Sequence, residues 1–158
     1  MSRTLGAIKK YDKKPIMHTW WSYLQKKPSE RTKCCTMIKI ALNCHHLNAC
    51  KARYECGISD RCINCNGGIE TIEHVLFECR SNAESRGKYW KKFEDECSIG
   101  LKNSLKVMSN VEKSNLLISG LGNTFTKEWI VLYDKIIEFI YCLHIERVKL
   151  NANNINNE

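Results

Sequence analysis

The chain lacks any long apolar run. No stretch of 18 consecutive apolar residues occurs among its 158 residues, so the sequence predicts no membrane span. The first 25 residues hold four lysines and no apolar segment of the kind found in signal peptides. We therefore expect a nuclear or cytoplasmic protein. No internal repeat is visible, and the length fits one domain that can bury a core.

The chain also falls short of the composition of a secreted disulfide scaffold, although it is rich in cysteine. Ten residues are cysteine, about 6%, whereas disulfide scaffolds exceed roughly 8%. In a reducing compartment such a set of cysteines favours reduced thiols and metal binding.

Acidic residues are scarce in the first third of the chain. Residues 1–53 hold 12 lysines and arginines but only Asp12 and Glu30 of opposite sign, whereas residues 54–158 hold 13 basic and 15 acidic residues. The formal net charge of +8 therefore comes from the N-terminal third. Basic side chains contact phosphates and aromatic rings stack on bases, so this segment predicts binding of RNA or single-stranded DNA.

The candidate nucleic-acid contacts are the cations and the indole rings of this basic third. Two tryptophans are adjacent, with lysines on either side. In the alternative interpretation, the tryptophans anchor a helix to the core and the lysines form a solvated face. The candidates are Lys9, Lys10, Lys13, Lys14, Trp20, Trp21, Lys26, Lys27, Arg31 and Lys33.

The most informative pattern is a C-x2-C-x8-H-x4-C array. It is formed by Cys62, Cys65, His74 and Cys79, and three thiolates with one imidazole make a full tetrahedral set for zinc. The two cysteines share a tight turn, and residues 66–68, Asn-Gly-Gly, let the chain reverse. We expect a short helix, capped by Thr71, to present His74 with Cys79 at its end on nearly the same side.

Four protein ligands leave no open coordination position, so we predict one structural Zn²⁺. Two alternatives to this single site remain open. In the first, the four residues of the array are unrelated and its cysteines are simply buried thiols. A second zinc site can be drawn from Cys44, His45 or His46, Cys50 and Cys56. Alternatively, Cys34, Cys35 and Cys50 fall within predicted helices and are better interpreted as small core residues.

The spacing of apolar residues predicts a mostly α fold, a small helical domain. The CCHC zinc knuckle is embedded in this domain, and a minimal β-hairpin is predicted near residues 61–70. The tail holds five asparagines among eight residues and is predicted to be disordered. The predicted helices span 15–25, 31–42, 46–54, 82–97, 111–119 and 126–149. The predicted segments are a basic arm (1–15), a helical segment (16–56), the knuckle (57–80), a second helical segment (81–150) and the tail (151–158).

The region around the array resembles a known family pattern. Cys62-Ile63-Asn64-Cys65, the stretch 73–79 (Glu-His-Val-Leu-Phe-Glu-Cys) and Arg86 are similar to the C-terminal CCHC region of non-LTR (LINE-type) retrotransposon reverse transcriptases. Weaker similarity extends over residues 16–148. At Cys44 the chain departs from the family's glycine.

The resemblance implies a module that helps a reverse transcriptase engage RNA or target DNA. The chain has no Y/F-A-D-D polymerase signature and no spaced acidic set of the ribonuclease H or endonuclease kind. We therefore predict a noncatalytic, nucleic-acid-binding module, which is not an enzyme. The alternative is a protein-interaction or homodimerisation module in which zinc is purely structural and the C-terminal helix contacts the partner, in a host-adopted protein derived from a transposon.

Overall fold

The computed structural model describes residues 17–42, 47–119 and 127–155 of the chain. Helices dominate this part, and short turns of 3-10 or π type connect some of them. The α-helices are α1 (Met17–Lys26), α2 (Arg31–Ala41), α3 (Asn48–Lys51), α4 (Ala83–Glu96), α5 (Ile99–Val107), α6 (Asn110–Ser119) and α7 (Lys127–Ile155). The turns are two 3-10 turns, Pro28–Glu30 and Arg80–Asn82, and a π turn, His74–Glu78.

Helix α7 forms the centre of the core. Its apolar side chains recur at helical spacing, and it packs most extensively against α4 and next against α2. The π turn also packs against α7, and within that turn Leu76 is fully buried in the same core. The buried residues that α7 contributes are Leu132, Tyr133, Ile136, Ile137, Phe139, Ile140 and Leu143.

Helix α1 is attached to this core by aromatic side chains. The Trp20 ring is fully buried, and its Nε1–H donates to the carbonyl of Ile118 in α6 at 2.6 Å. The same ring meets Tyr133 edge to face, with 5.2 Å between centroids. Tyr23 donates its hydroxyl proton to Asp134 of α7. These contacts fix α1 against both α6 and α7.

The mostly α prediction is confirmed. The described residues contain no β-strand; the predicted hairpin is reduced to one antiparallel bridge between Arg61 and Ile69. Helix α5 lies between the predicted helices 82–97 and 111–119, where no helix was predicted. Its N-cap is Ser98, whose hydroxyl accepts the Leu101 N–H at 3.3 Å. Among the described helices, none combines the length and apolar character that crossing a membrane requires.

The tail prediction is wrong over part of its length. Helix α7 continues to Ile155, five residues into the asparagine-rich segment. Asparagine is a poor helix former, but extending an existing helix is much easier than nucleating a new one. Residues 156–158 lie outside the described residues, as do the basic arm (1–15) and the predicted helix start at Pro15.

Candidate metal centre

A tight backbone turn carries the first two ligands. Within it the Asn66 N–H donates to the Cys62 carbonyl at 2.9 Å, and the Cys62 N–H donates to the carbonyl of Gly68 at 2.9 Å. Asn66 adopts a left-handed φ of 51°, a conformation that asparagine tolerates better than most residues. The reversal predicted at residues 66–68 is therefore present, and it aims Cys62 and Cys65 at one point.

The second pair of ligands lies at the two ends of the π turn. The hydroxyl of Thr71 accepts the His74 N–H at 3.2 Å, which confirms the predicted cap. The Cys79 N–H then donates to the His74 carbonyl at 2.6 Å. Side chains five residues apart on a regular α-helix point about 140° away from each other. The prediction that an ordinary short helix presents both ligands was therefore wrong. The widened i→i+5 turn instead brings both ligands to one site.

The four ligand atoms converge. The three sulfurs and the imidazole nitrogen all lie within 4.8 Å of one another. The Sγ atoms of Cys62 and Cys79 are 3.9 Å apart, and the Sγ of Cys65 is 3.2 Å from the Nε2 of His74. Zinc with bonds of about 2.3 Å to sulfur gives a tetrahedron with edges of about 3.8 Å. The cluster can therefore hold a metal ion, and its size fits zinc.

Burial makes the thiolates costly without a cation. Burial raises the pKa of Cys62 to about 12, although N–H groups of Asn64 and Cys65 partly oppose the shift. Burial also raises the pKa of Cys79. For Cys65 burial acts in the same direction, but hydrogen bonds from Gly67 and the neighbouring thiols outweigh it and lower the pKa. A bound cation would stabilise all three thiolates.

The surroundings of the cluster orient its ligands. The Gly67 N–H donates to the Cys65 sulfur at 3.4 Å, and a Cβ at Gly67 would approach that sulfur to 3.3 Å. On the other side, the Nδ1 of His74 lies 3.9 Å from a carboxylate oxygen of Glu78. A carboxylate near the second ring nitrogen favours the tautomer that directs Nε2 to a metal.

A buried ionic network beside the cluster was missed by sequence reasoning. Arg147 of α7 donates from Nε to Glu70 Oε1 and from Nη2 to Glu70 Oε2, both at 2.7 Å. The Asn48 N–H also donates to Oε2 at 2.7 Å, and the Asn48 side chain donates to the carbonyl of Arg61 at 2.8 Å. The network joins α3, the metal loop (residues 61–79, which hold the four candidate ligands) and α7. No local sequence signal marks a pair 77 positions apart.

The predicted nucleic-acid residues separate into different environments. Trp20 is fully buried, so its assignment as a base-stacking residue is wrong, and the alternative in which it anchors a helix is correct. Trp21, by contrast, is 57% exposed. Lys27 pairs with Asp134 and Lys33 pairs with Glu30 at 2.7 Å.

The remaining basic candidates are either exposed or undescribed. Lys26 and Arg31 are exposed on α1 and α2. Four others, Lys9, Lys10, Lys13 and Lys14, lie outside the described residues.

The other cysteines are dispersed through the fold. Within the described ranges, no second group of cysteine, histidine and carboxylate side chains converges as the array does. Cys34 and Cys50 are buried as predicted, but Cys35 is exposed on α2. Residues 44–46 of the alternative zinc site lie outside the described part, and Cys56 is exposed.

Comparisons of the chain with protein-family models, with curated proteins and with solved structures gave no match.

Proposed function

We propose that the chain is a noncatalytic module, ordered by one structural Zn²⁺, that binds single-stranded RNA or DNA. The observation that carries the zinc assignment is the convergence of four ligand atoms within 4.8 Å. A set of three sulfurs and one nitrogen suits zinc better than the oxygen-seeking cations magnesium and calcium. Because all four positions are taken by protein, the metal would have no site for a reacting water.

The experiment for this part of the proposal measures metal and activity together. Protein purified under reducing conditions should contain one equivalent of zinc, with X-ray absorption showing three sulfur ligands and one nitrogen ligand at about 2.3 and 2.0 Å. It should neither extend a primer nor cleave RNA or DNA with Mg²⁺ or Mn²⁺ present. A content well below one equivalent in fully reduced protein contradicts the zinc assignment, and metal-dependent cleavage contradicts the noncatalytic one.

Nucleic-acid binding is supported by the exposed surface of the basic third. Trp21 holds a large exposed ring on α1, and Lys26 and Arg31 are exposed nearby in sequence. An exposed indole beside cations is the combination that single-stranded nucleic acids require, since rings stack on bases and cations neutralise phosphates. The motif similarity to reverse transcriptase tails supports the same proposal, including an origin in a non-LTR retrotransposon.

Binding is tested by fluorescence anisotropy with labelled single-stranded RNA, single-stranded DNA and duplex DNA at several salt concentrations. Changing Lys9, Lys10, Lys13 and Lys14 to Glu should weaken binding and flatten its salt dependence, because counterion release scales with the phosphates contacted. The matched control changes four exposed lysines elsewhere, Lys39, Lys88, Lys91 and Lys149. Equal loss in both variants would show that only net charge matters, and no loss in the first would rule out the arm.

The second candidate function is a protein-interaction module. The C-terminal helix, α7, is disfavoured as the partner surface because it buries most of its apolar stripe within the chain. Helix α5 is a better surface: Ile99 and Val107 are 78% and 85% exposed, two turns apart. Light scattering that shows a concentration-dependent dimer, lost on changing both residues to Ser, would favour this candidate.

A further inference from the structure

A cavity of about 320 Å³ lies between α4, α5, α6 and the π turn. That volume is at the lower end of the range of about 300–1,000 Å³ typical of small-molecule sites. No described residue of the basic N-terminal third lines the cavity, and none of the described lining residues belongs to the metal cluster. The cavity is therefore a feature distinct from the metal cluster, and its lining has its own chemistry.

Each of the three helices contributes one cation to this cavity. Arg86 comes from α4, Lys106 from α5 and Lys113 from α6. The guanidinium of Arg86 donates one hydrogen bond to the Cys79 carbonyl at 2.9 Å, which leaves further N–H donors. Three cations brought together from separate helices create a local positive potential, although residues 54–158 as a whole carry slightly more acidic than basic residues.

The remaining chemistry of the cavity is aromatic. Phe77 and Trp90 line it, and their rings meet edge to face with 5.5 Å between centroids. The Nζ of Lys113 lies 5.9 Å from the Phe77 centroid. Glu94, the one carboxylate among the described lining residues, accepts the Trp90 Nε1–H at 2.7 Å. An aromatic wall with an excess of cations favours a ligand that combines a flat ring with an anion.

We propose that this cavity binds one nucleotide of a single-stranded nucleic acid, with the base against Phe77 and Trp90 and a phosphate at Lys106 and Lys113. The inference rests on the proposed function, to which it adds a second contact point. The nucleic-acid strand would then extend from the basic N-terminal third to the cavity between α4, α5 and α6. The zinc site would act indirectly, because Phe77 belongs to the π turn that directly precedes the ligand Cys79.

The first measurement uses mononucleotides. Titration of the zinc-loaded protein with UMP or AMP should shift the Trp90 indole N–H resonance in nitrogen-15 NMR spectra. Ribose 5-phosphate, which lacks the base, should produce a smaller shift. Equal shifts from all three compounds would indicate a phosphate site only and would overturn the base assignment.

The second measurement uses variants. Because Trp90 also packs against Phe93 and Phe139, the lysines are the better positions to change. Lys106→Ala with Lys113→Ala should abolish the mononucleotide shift. It should also lower the slope of log affinity against log salt, for a short single-stranded RNA and its DNA counterpart, by about 0.7, the value for loss of one phosphate contact. The matched control, Lys88→Ala with Lys91→Ala, removes the same charge from exposed positions of α4 and should leave both unchanged.

The outcomes separate the inference from the proposed function. If the double variant binds single strands like its control while the arm variant loses binding, the cavity assignment is overturned and the proposed function stands. If the wild-type chain binds no oligonucleotide, the proposed function fails, and the mononucleotide titration decides the cavity alone. No shift of the Trp90 signal with UMP or AMP would then overturn it.

Discussion

Arg147 and Glu70 form a buried, two-pronged ion pair across 77 positions of sequence. Both hydrogen bonds measure 2.7 Å, and the exposed fractions of the two side chains are 3% and 0%. Glu70 lies between the second and third metal ligands, whereas Arg147 belongs to the central helix. The pair therefore couples the metal loop to the core by a contact that involves neither the metal nor apolar packing.

The first prediction concerns this pair. Glu70→Gln removes the carboxylate that pairs with the buried Arg147 guanidinium and should lower the free energy of unfolding by about 3–5 kcal/mol. Changing both residues to Met should cost less than either single change, because no charge is then stranded. Urea unfolding at saturating zinc measures both. Lys92→Ala, which breaks the more exposed Lys92–Glu138 pair, is the control and should cost at most about 1 kcal/mol.

The second prediction concerns removal of the metal. Cys65→Ser, or chelation of wild-type protein, should abolish hydrogen-exchange protection across residues 62–79, since the turn loses the centre that closes it. Helix α4 and the middle of α7 should stay protected because their apolar contacts do not depend on the metal. Cys56→Ser changes an exposed thiol and should retain full zinc content. Uniform loss of protection through α7 would show that the metal orders the whole fold.

The third prediction separates two adjacent tryptophans. Trp20→Ala should destabilise the protein by about 3–5 kcal/mol, because a fully buried ring and its hydrogen bond to the Ile118 carbonyl are lost. Trp21→Ala should change stability by less than about 0.5 kcal/mol but weaken binding to single-stranded RNA by about 1–3 kcal/mol. Tyr54→Ala removes another exposed ring and is the binding control. Unaltered binding by Trp21→Ala would remove Trp21 from the interface.

The fourth prediction concerns alkaline pH. Burial raises the pKa of the Cys34 and Cys97 thiols to about 11, so in the folded state both keep their protons after the unfolded chain has lost them. Stability is therefore full below about pH 8.5 and falls as pH rises towards 11, by at most about 1.4 kcal/mol per pH unit for each thiol. Replacing both with Ala should flatten this part of the profile in urea titrations under reductant. An unchanged slope would show that other groups cause it.

Local patterns predicted which four side chains cluster as a candidate metal site and where most helices lie, and non-local contacts explain what they missed. The spacing of Cys62, Cys65, His74 and Cys79 indicates shared coordination because few other constraints produce it. Helix α5 buries only Leu105 fully, so its apolar stripe was too weak to predict. The adjacent Trp20 and Trp21 could not be distinguished by composition, because their exposure depends on where α1 docks. The π turn depends both on where the candidate ligands lie and on how Leu76 packs in the core. The periodicity of apolar residues in the sequence indicates neither.

The position of α7 near the end of the described chain also sets an order of assembly during synthesis. The metal ligands and Glu70 leave the ribosome before Arg147 and before the α7 residues that fill the core. All four candidate ligands are therefore synthesised while the rest of the nascent chain is still open. Until α7 is complete, however, the Glu70 carboxylate stays hydrated and the apolar faces of α2 and α4 lack their main partner. A nascent chain stalled before residue 127 would contain all four candidate ligands yet expose those faces to chaperones.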